Sequence, residues 1–185
     1  MNRAVFLDRD GVINRAIIKN GVSHAPVSLS EFELHQGVGE AITALCGAGF
    51  RIIVTTNQPD VGKGVVDKGV VDAIHSLISE KFQIDEIKVC FHVDDDDCSC
   101  RKPKPGMLLD AAAQWDLDLS RSFMVGDRWR DIEAGKSAGC QSILIQNDYA
   151  GLRSVEPDAI VASLPEASEL ILSKLNHLEG GRCRT

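Results

Sequence analysis

The stretch Ala4-Val5-Phe6-Leu7-Asp8-Arg9-Asp10-Gly11 decides how the rest of this chain reads. Four consecutive apolar residues mark a short buried strand. Two carboxylates with one residue between them follow at once. In open α/β sheets the ligand site lies beyond the carboxyl ends of the strands, so the charge falls where chemistry is expected. The rest of the chain continues the pattern. Strands are expected at Arg51–Thr55, Glu86–Phe91, Ser122–Val125, Gln141–Ile145 and Ala159–Val161, where apolar and β-branched residues cluster. Apolar residues at helical spacing cover Gly37–Ala48, Asp67–Phe82, Pro105–Leu117, Asp131–Ala138 and Leu164–Asn176. Strands alternating with helices imply parallel β-α-β units with right-handed crossovers. The expected fold is a three-layer α/β sandwich around a mainly parallel, Rossmann-like sheet.

With 185 residues there is room for one domain, placed at 1–176, followed by a frayed tail, 177–185. An apolar fraction of 44% and a charged fraction of 25% place the chain with globular proteins rather than disordered or coiled ones. The net charge of −7, with no basic stripe, argues against affinity for nucleic acid. No apolar run approaches the ~20 residues of a membrane helix. The opening MNRAVFLDRDG turns charged too early for a signal peptide. These features predict a soluble, cytoplasmic, monomeric chain whose partner is a small molecule.

The unusual polar residues gather at the strand ends. Beside Asp8 and Asp10 stand Thr56, Asn57 and Gln58 after the second strand, Arg101 and Lys102 before the third helix, and Asp127, Arg128 and Asp131 after the fourth strand. Two close carboxylates repel, and a divalent cation relieves the repulsion; an oxygen-only set suits Mg²⁺. Asp127, from another strand end, completes the protein's share of the shell. Lys102 offers a point charge against a phosphoryl group. Thr56 and Asn57 offer a hydroxyl, an amide and backbone N–H groups to phosphate oxygens. Taken singly, an Asp-x-Asp is a solvated turn and a lysine a surface cation. The joint placement at one sheet edge argues for a site.

Cys90-x-His92-x5-Cys98-x-Cys100 supplies three thiols and an imidazole in two tight pairs, the donor set of a closed structural Zn²⁺ site. Such a zinc staples the polar loop that leads directly into Arg101 and Lys102. The acidic run Asp94–Asp97 lacks the spacing of a calcium loop and reads as a solvated tip. Cys46 and Cys140 read as core residues and Cys183 as part of the tail.

Asp8-x-Asp10, Thr56-Asn57, Lys102 and Gly126-Asp127-x-x-x-Asp131 together resemble the four sequence blocks of the haloacid dehalogenase (HAD) superfamily of phosphohydrolases. The resemblance implies that Asp8 is the nucleophile, forming an aspartyl-phosphate, and that Asp10 is the general acid and base. It also implies that Mg²⁺ is held by Asp8, Asp127 and the Asp10 backbone carbonyl, with Asp131 supporting the site from behind. The string Cys-x-His…Cys-x-Cys-Arg-Lys-Pro is similar to one branch of the superfamily, which takes heptose bisphosphates and histidinol phosphate. That branch lacks a large cap domain, and Asn14–Gln36 here has room only for a loop. The resemblance implies a phosphorylated sugar as substrate, with Arg101 on the sugar or its second phosphate and Gln58 and Arg128 nearby. The heptose bisphosphate, a precursor of activated heptoses, is the first expectation; histidinol phosphate is the alternative. Two other classes fit less well. A signalling receiver domain carries its phosphoacceptor on a later strand, and a non-catalytic zinc module has no use for Asp8, Asp10, Lys102 and Asp127.

Overall fold

The computed structural model describes residues 2–147 and 155–180. Its elements are β1 (Arg3–Leu7), β2 (Ile17–Lys19), β3 (Val22–His24), α1 (Val38–Gly47), β4 (Phe50–Asn57), α2 (Pro59–Gly62), α3 (Lys68–Lys81), β5 (Glu86–Cys90), α4 (Gly106–Trp115), β6 (Phe123–Gly126), α5 (Trp129–Ala138), β7 (Gln141–Ile145), β8 (Ala159–Val161) and α6 (Leu164–Gly180). Six strands form one parallel sheet in the order β5-β4-β1-β6-β7-β8, and β2 pairs with β3 as an antiparallel hairpin.

The central strands are buried on both faces, which is why they read as unbroken apolar runs rather than alternating ones. Val5 and Leu7 of β1 pack into one core layer with Ile42, Leu45, Ile74, Ile78 and Ile171 from α1, α3 and α6. Ala4 and Phe6 point the other way, into a second layer with Met107, Leu108, Ala111 and Ala134 from α4 and α5. The strand period of two thus distributes one short sequence between two cores.

The sheet order reverses direction at β1. The chain runs outward through β4 and β5, then returns to the other side for β6, β7 and β8. Ligands in such sheets bind at this switch point. Register brings the strand ends level there: Leu7 aligns with Val54 of β4 and with Val125 of β6. Asp8 N–H closes the edge by donating to the Val125 carbonyl at 2.9 Å. Gly126 is required by packing, because a Cβ there would stand 2.1 Å from the Cβ of Asp131.

Departures from the sequence expectation include a helical turn, α2, and a 3-10 turn at Asp94–Asp96 where loops were expected, and three further features. The segment expected as a plain loop carries the β2–β3 hairpin and a 3-10 turn at Leu29–Glu31. Asn20 and Gly21 make the two-residue turn with φ of 53° and 73°, the left-handed pair that a tight hairpin needs. Helix α5 starts at Trp129, not Asp131, because Asp131 closes a capping box as the third helical residue: its Oδ2 accepts from the Arg128 N–H at 3.0 Å. Helix α6 continues to Gly180 beyond the expected end at Asn176. The rest of the expected tail, with Cys183, lies outside the described residues. Among those residues no helix is long and apolar enough to cross a membrane.

Candidate active site

The site forms where β1, β4 and β6 end. Asp8 and Asp10 are 8% exposed, Asp131 3%, Lys102 2% and Asp127 0%. Lys102 is the hub: its Nζ donates to Asp8 Oδ1 at 2.8 Å and to the Thr55 carbonyl at 2.7 Å, and pairs with Asp131 Oδ1 at 2.5 Å. Burial alone would favour a neutral lysine, but Asp131 and Asp8 outweigh it and hold Lys102 charged well above the usual lysine range. The backbone of Lys102 is clamped as well. Asn57 donates from Nδ2 to the Lys102 carbonyl at 3.0 Å, and its Oδ1 accepts from the Lys102 N–H at 3.1 Å. The Asn57 amide therefore fixes the lysine.

The two leading carboxylates live in opposite environments. Burial raises the Asp8 carboxyl to about 6; Lys102 opposes the rise, while Asp131 and Asp10 add to it. Asp10 experiences the same burial, yet the Arg9 guanidinium and hydrogen bonds from Asn14, Arg9 and Gln58 hold its carboxyl below the ordinary range. Arg9 is fully buried, and its Nη2 reaches Asp10 Oδ1 at 2.9 Å and Oδ2 at 2.8 Å. Asn14 Nδ2 donates to Oδ1 at 3.0 Å, and Gln58 Nε2 to Oδ2 at 2.8 Å. Gln58 also donates to Thr56 Oγ1 at 2.8 Å. Gln58 thus ties Asp10 to the Thr56 hydroxyl.

One oxygen each of Asp8, Asp127 and Asp131 lies within 4.8 Å of the others. An all-carboxylate, buried set fits a hard divalent cation such as Mg²⁺. Asp131 is already engaged through Oδ1 with Lys102 and through Oδ2 with the Arg128 N–H, which suits a supporting role. The Asp10 side chain stands outside this cluster, committed to Arg9, Asn14 and Gln58.

A cavity of about 250 Å³ opens over these groups. Thr56, Asn57, Arg101 and Arg128 line it, as the sequence led us to expect. Ser23, His24 and Lys63 line it too, from the segments Asn14–Ser30 and Pro59–Gly64 that the sequence marks as loops able to select a substrate; Arg130 joins them without having been singled out. Arg128 Nη2 donates to the Ser23 carbonyl at 3.0 Å and to Ser23 Oγ at 2.6 Å, so it ties the hairpin to the cavity wall. Arg101 Nε donates to Asp94 Oδ1 at 2.7 Å, which orients its guanidinium along the rim. The cavity gathers five cationic side chains in a chain whose net charge is −7, a local arrangement suited to an anion.

Cys90, His92, Cys98 and Cys100 converge as their spacing suggests. Their donor atoms lie within 4.8 Å of one another, and the Sγ–Sγ separations are 3.2, 3.4 and 3.7 Å. Ligands ~2.3 Å from a tetrahedral centre stand ~3.7 Å apart, so the cage has the size and the soft donors that zinc takes. Cys100 leads straight into Arg101 and Lys102. Cys140 is buried and Cys46 half-buried beside the main core.

A parallel sheet with buried acids and a charged lysine at its switch point defines a hydrolase-type α/β site for a phosphate ester. Comparison with known proteins narrows the class. Residues 99–167 match the HAD-hydrolase-like family model. The D-glycero-β-D-manno-heptose-1,7-bisphosphate 7-phosphatase of Helicobacter pylori is 34% identical over 154 residues, 79% of this chain and 86% of the relative. The enzyme of the same name from Pseudomonas aeruginosa is 37% identical over 155 residues, 79% of this chain and 83% of the relative. The crystal structure of D,D-heptose 1,7-bisphosphate phosphatase from B. bronchiseptica, complexed with magnesium and phosphate, superposes with a TM-score of 0.79. It is 31% identical, and the match covers 93% of this chain and 99% of that one. The chain belongs to the HAD-like phosphatases and is a phosphoric monoester hydrolase.

Proposed function

We propose that this enzyme removes the C7 phosphate of D-glycero-D-manno-heptose 1,7-bisphosphate through an aspartyl-phosphate on Asp8. The observation that carries the reading is Asp8 itself: a buried carboxylate, paired with a buried lysine, beside a cavity whose rim is cationic. A carboxylate oxygen of Asp8 attacks phosphorus, and the ester oxygen departs opposite to it, taking a proton from Asp10. Water then attacks the same phosphorus, Asp10 accepts its proton, and inorganic phosphate leaves with Asp8 regenerated. Magnesium held by Asp8, Asp127 and the Asp10 carbonyl would neutralise charge on the phosphoryl oxygens. Lys102 and the Thr56 hydroxyl hold the remaining charge.

The environment of Asp10 favours its second task. A carboxylate that accepts from Arg9, Asn14 and Gln58 is set up as a base. To act as an acid it must carry a proton on one oxygen, so one of those donors has to yield that oxygen in the first step. Arg101 and Arg128 serve the distal part of the substrate, where a planar guanidinium matches an oxyanion. Cys90, His92, Cys98 and Cys100 would hold zinc, which would fix the loop that delivers Arg101 and Lys102. The packing of the closing helix α6 on α1 supports reading residues 1–176 as one catalytic domain.

The test compares catalytic efficiency on the heptose 1,7-bisphosphate, the heptose 7-phosphate and histidinol phosphate, with magnesium supplied. Preference for the bisphosphate supports the reading. Preference for histidinol phosphate transfers the enzyme to the other member of its branch.

A further inference from the structure

The network behind Asp10 ends on a residue that the reaction as described does not use. Arg9 is a fully buried cation, and its Nε and Nη2 are spent on Asp10. Its Nη1 points the other way and meets His75 Nε2 at 3.0 Å. His75 sits on α3, sixty-six residues along the chain from Arg9. An arginine has donors only, so the imidazole nitrogen facing it must be the acceptor. That fixes the ring as neutral, with its proton on Nδ1. The surroundings agree: burial and the neighbouring Arg9 charge keep the ring neutral down to about pH 4.

We infer that His75 is a positioning residue of the reaction: by accepting from Arg9 Nη1, it fixes the guanidinium fork that aims the Asp10 carboxylate. The fork can tilt about the Arg9 side chain unless its far side is also held. With both ends occupied, Arg9 presents a fixed plane to Asp10, and Asn14 and Gln58 complete the orientation. Asp10 must meet first a leaving oxygen and then a water within hydrogen-bond reach, so a tilt of its carboxylate is felt in turnover rather than in substrate binding. His75 does not line the cavity, and it acts only through Arg9.

Two substitutions and one spectrum test this. A glutamine can place its amide oxygen near the position of Nε2, whereas leucine fills similar space without an acceptor. His75→Leu should lower kcat by about ten-fold with KM changed by less than about two-fold, and His75→Gln should recover most of the loss. All three proteins are assayed well below their melting temperatures. Equal kcat in wild type and His75→Leu, or a glutamine variant as impaired as the leucine one, would overturn the inference. The spectrum needs no turnover: a long-range ¹H–¹⁵N correlation of wild-type protein, assigned through His75→Gln, should show the Nδ1–H tautomer for His75. An Nε2–H ring would overturn the inference equally. The inference rests on the Asp10 role proposed above, and the two fail separately. If the wild type leaves the heptose bisphosphate intact, the substrate reading fails, while the tautomer still decides the Arg9 contact.

Discussion

Replacing Lys102 by methionine removes a buried cation that touches both Asp8 and Asp131. Methionine keeps most of the volume, so the change is electrostatic rather than a cavity. Breaking a buried pair by deleting one partner costs roughly 3–5 kcal/mol, because the other charge stays buried without compensation. In a chain of this size that lowers the melting temperature by roughly 6–20 °C, at ~2–4 °C per kcal/mol. The sign of the pH dependence follows from Asp8. Its carboxyl is already raised to about 6, chiefly by burial, with Lys102 opposing the rise; without the lysine it rises further. A carboxyl raised above its unfolded value destabilises the fold at neutral pH, and the loss is recovered as pH falls through the folded value. The gap between wild type and Lys102→Met should therefore be widest near about pH 7.5 and narrower near about pH 5.5. Urea melts followed by tryptophan fluorescence, without added magnesium, measure it. A gap below ~1 kcal/mol at the higher pH, or one that widens on acidification, would show that Lys102 is not compensating these carboxylates. Turnover should fall by ~10²–10³-fold with the charge stabilisation it supplies.

Three further outcomes follow. Asp8→Asn removes the nucleophile at almost constant volume, so activity should vanish while the circular dichroism spectrum stays that of the wild type; clear residual turnover would discard covalent catalysis. Wild-type protein should carry about one zinc per chain by elemental analysis, and Cys98→Ser should lose it; full zinc in the variant would show the ligand set is wrong. Gly126→Ala forces a Cβ to within 2.1 Å of the Asp131 Cβ, so α5 must shift; a loss of about 1–3 kcal/mol in urea melts is expected, and none would mean the helix yields freely.

Much of this candidate site was legible because ligand sites in such sheets lie at strand ends. A strand buried on both faces reads as an apolar run, and the polar residues that break the run mark its carboxyl end. Asp8, Thr56 and Asp127 were found that way, and sheet register then brings them level. The clustering of Cys90, His92, Cys98 and Cys100 was legible from spacing alone. The hairpin was missed although Asn20-Gly21 is a strong turn signal, because its three-residue strands carry exposed apolar residues, Ile18 and Val22, in place of a clean buried face. Arg9 and His75 were missed for a different reason. An arginine between two aspartates reads as solvated, and only the tertiary fold reveals that it is buried and that a helix from elsewhere brings an imidazole to its far side. Gln58 and Asn57 line the cavity, as read from the sequence; what the sequence did not reveal is that their amides also bond Asp10, Thr56 and the Lys102 backbone.

The central claim is that phosphate passes through a covalent bond to the first carboxylate after β1. Enzyme turning over substrate with magnesium can be quenched in acid, reduced with borohydride to convert any acyl phosphate to an alcohol, and mapped by peptide mass spectrometry. Conversion of Asp8 to homoserine, dependent on substrate and confined to that position, is the predicted result. Conversion at Asp10 or Asp127 instead, or none at Asp8 under steady turnover, would contradict it.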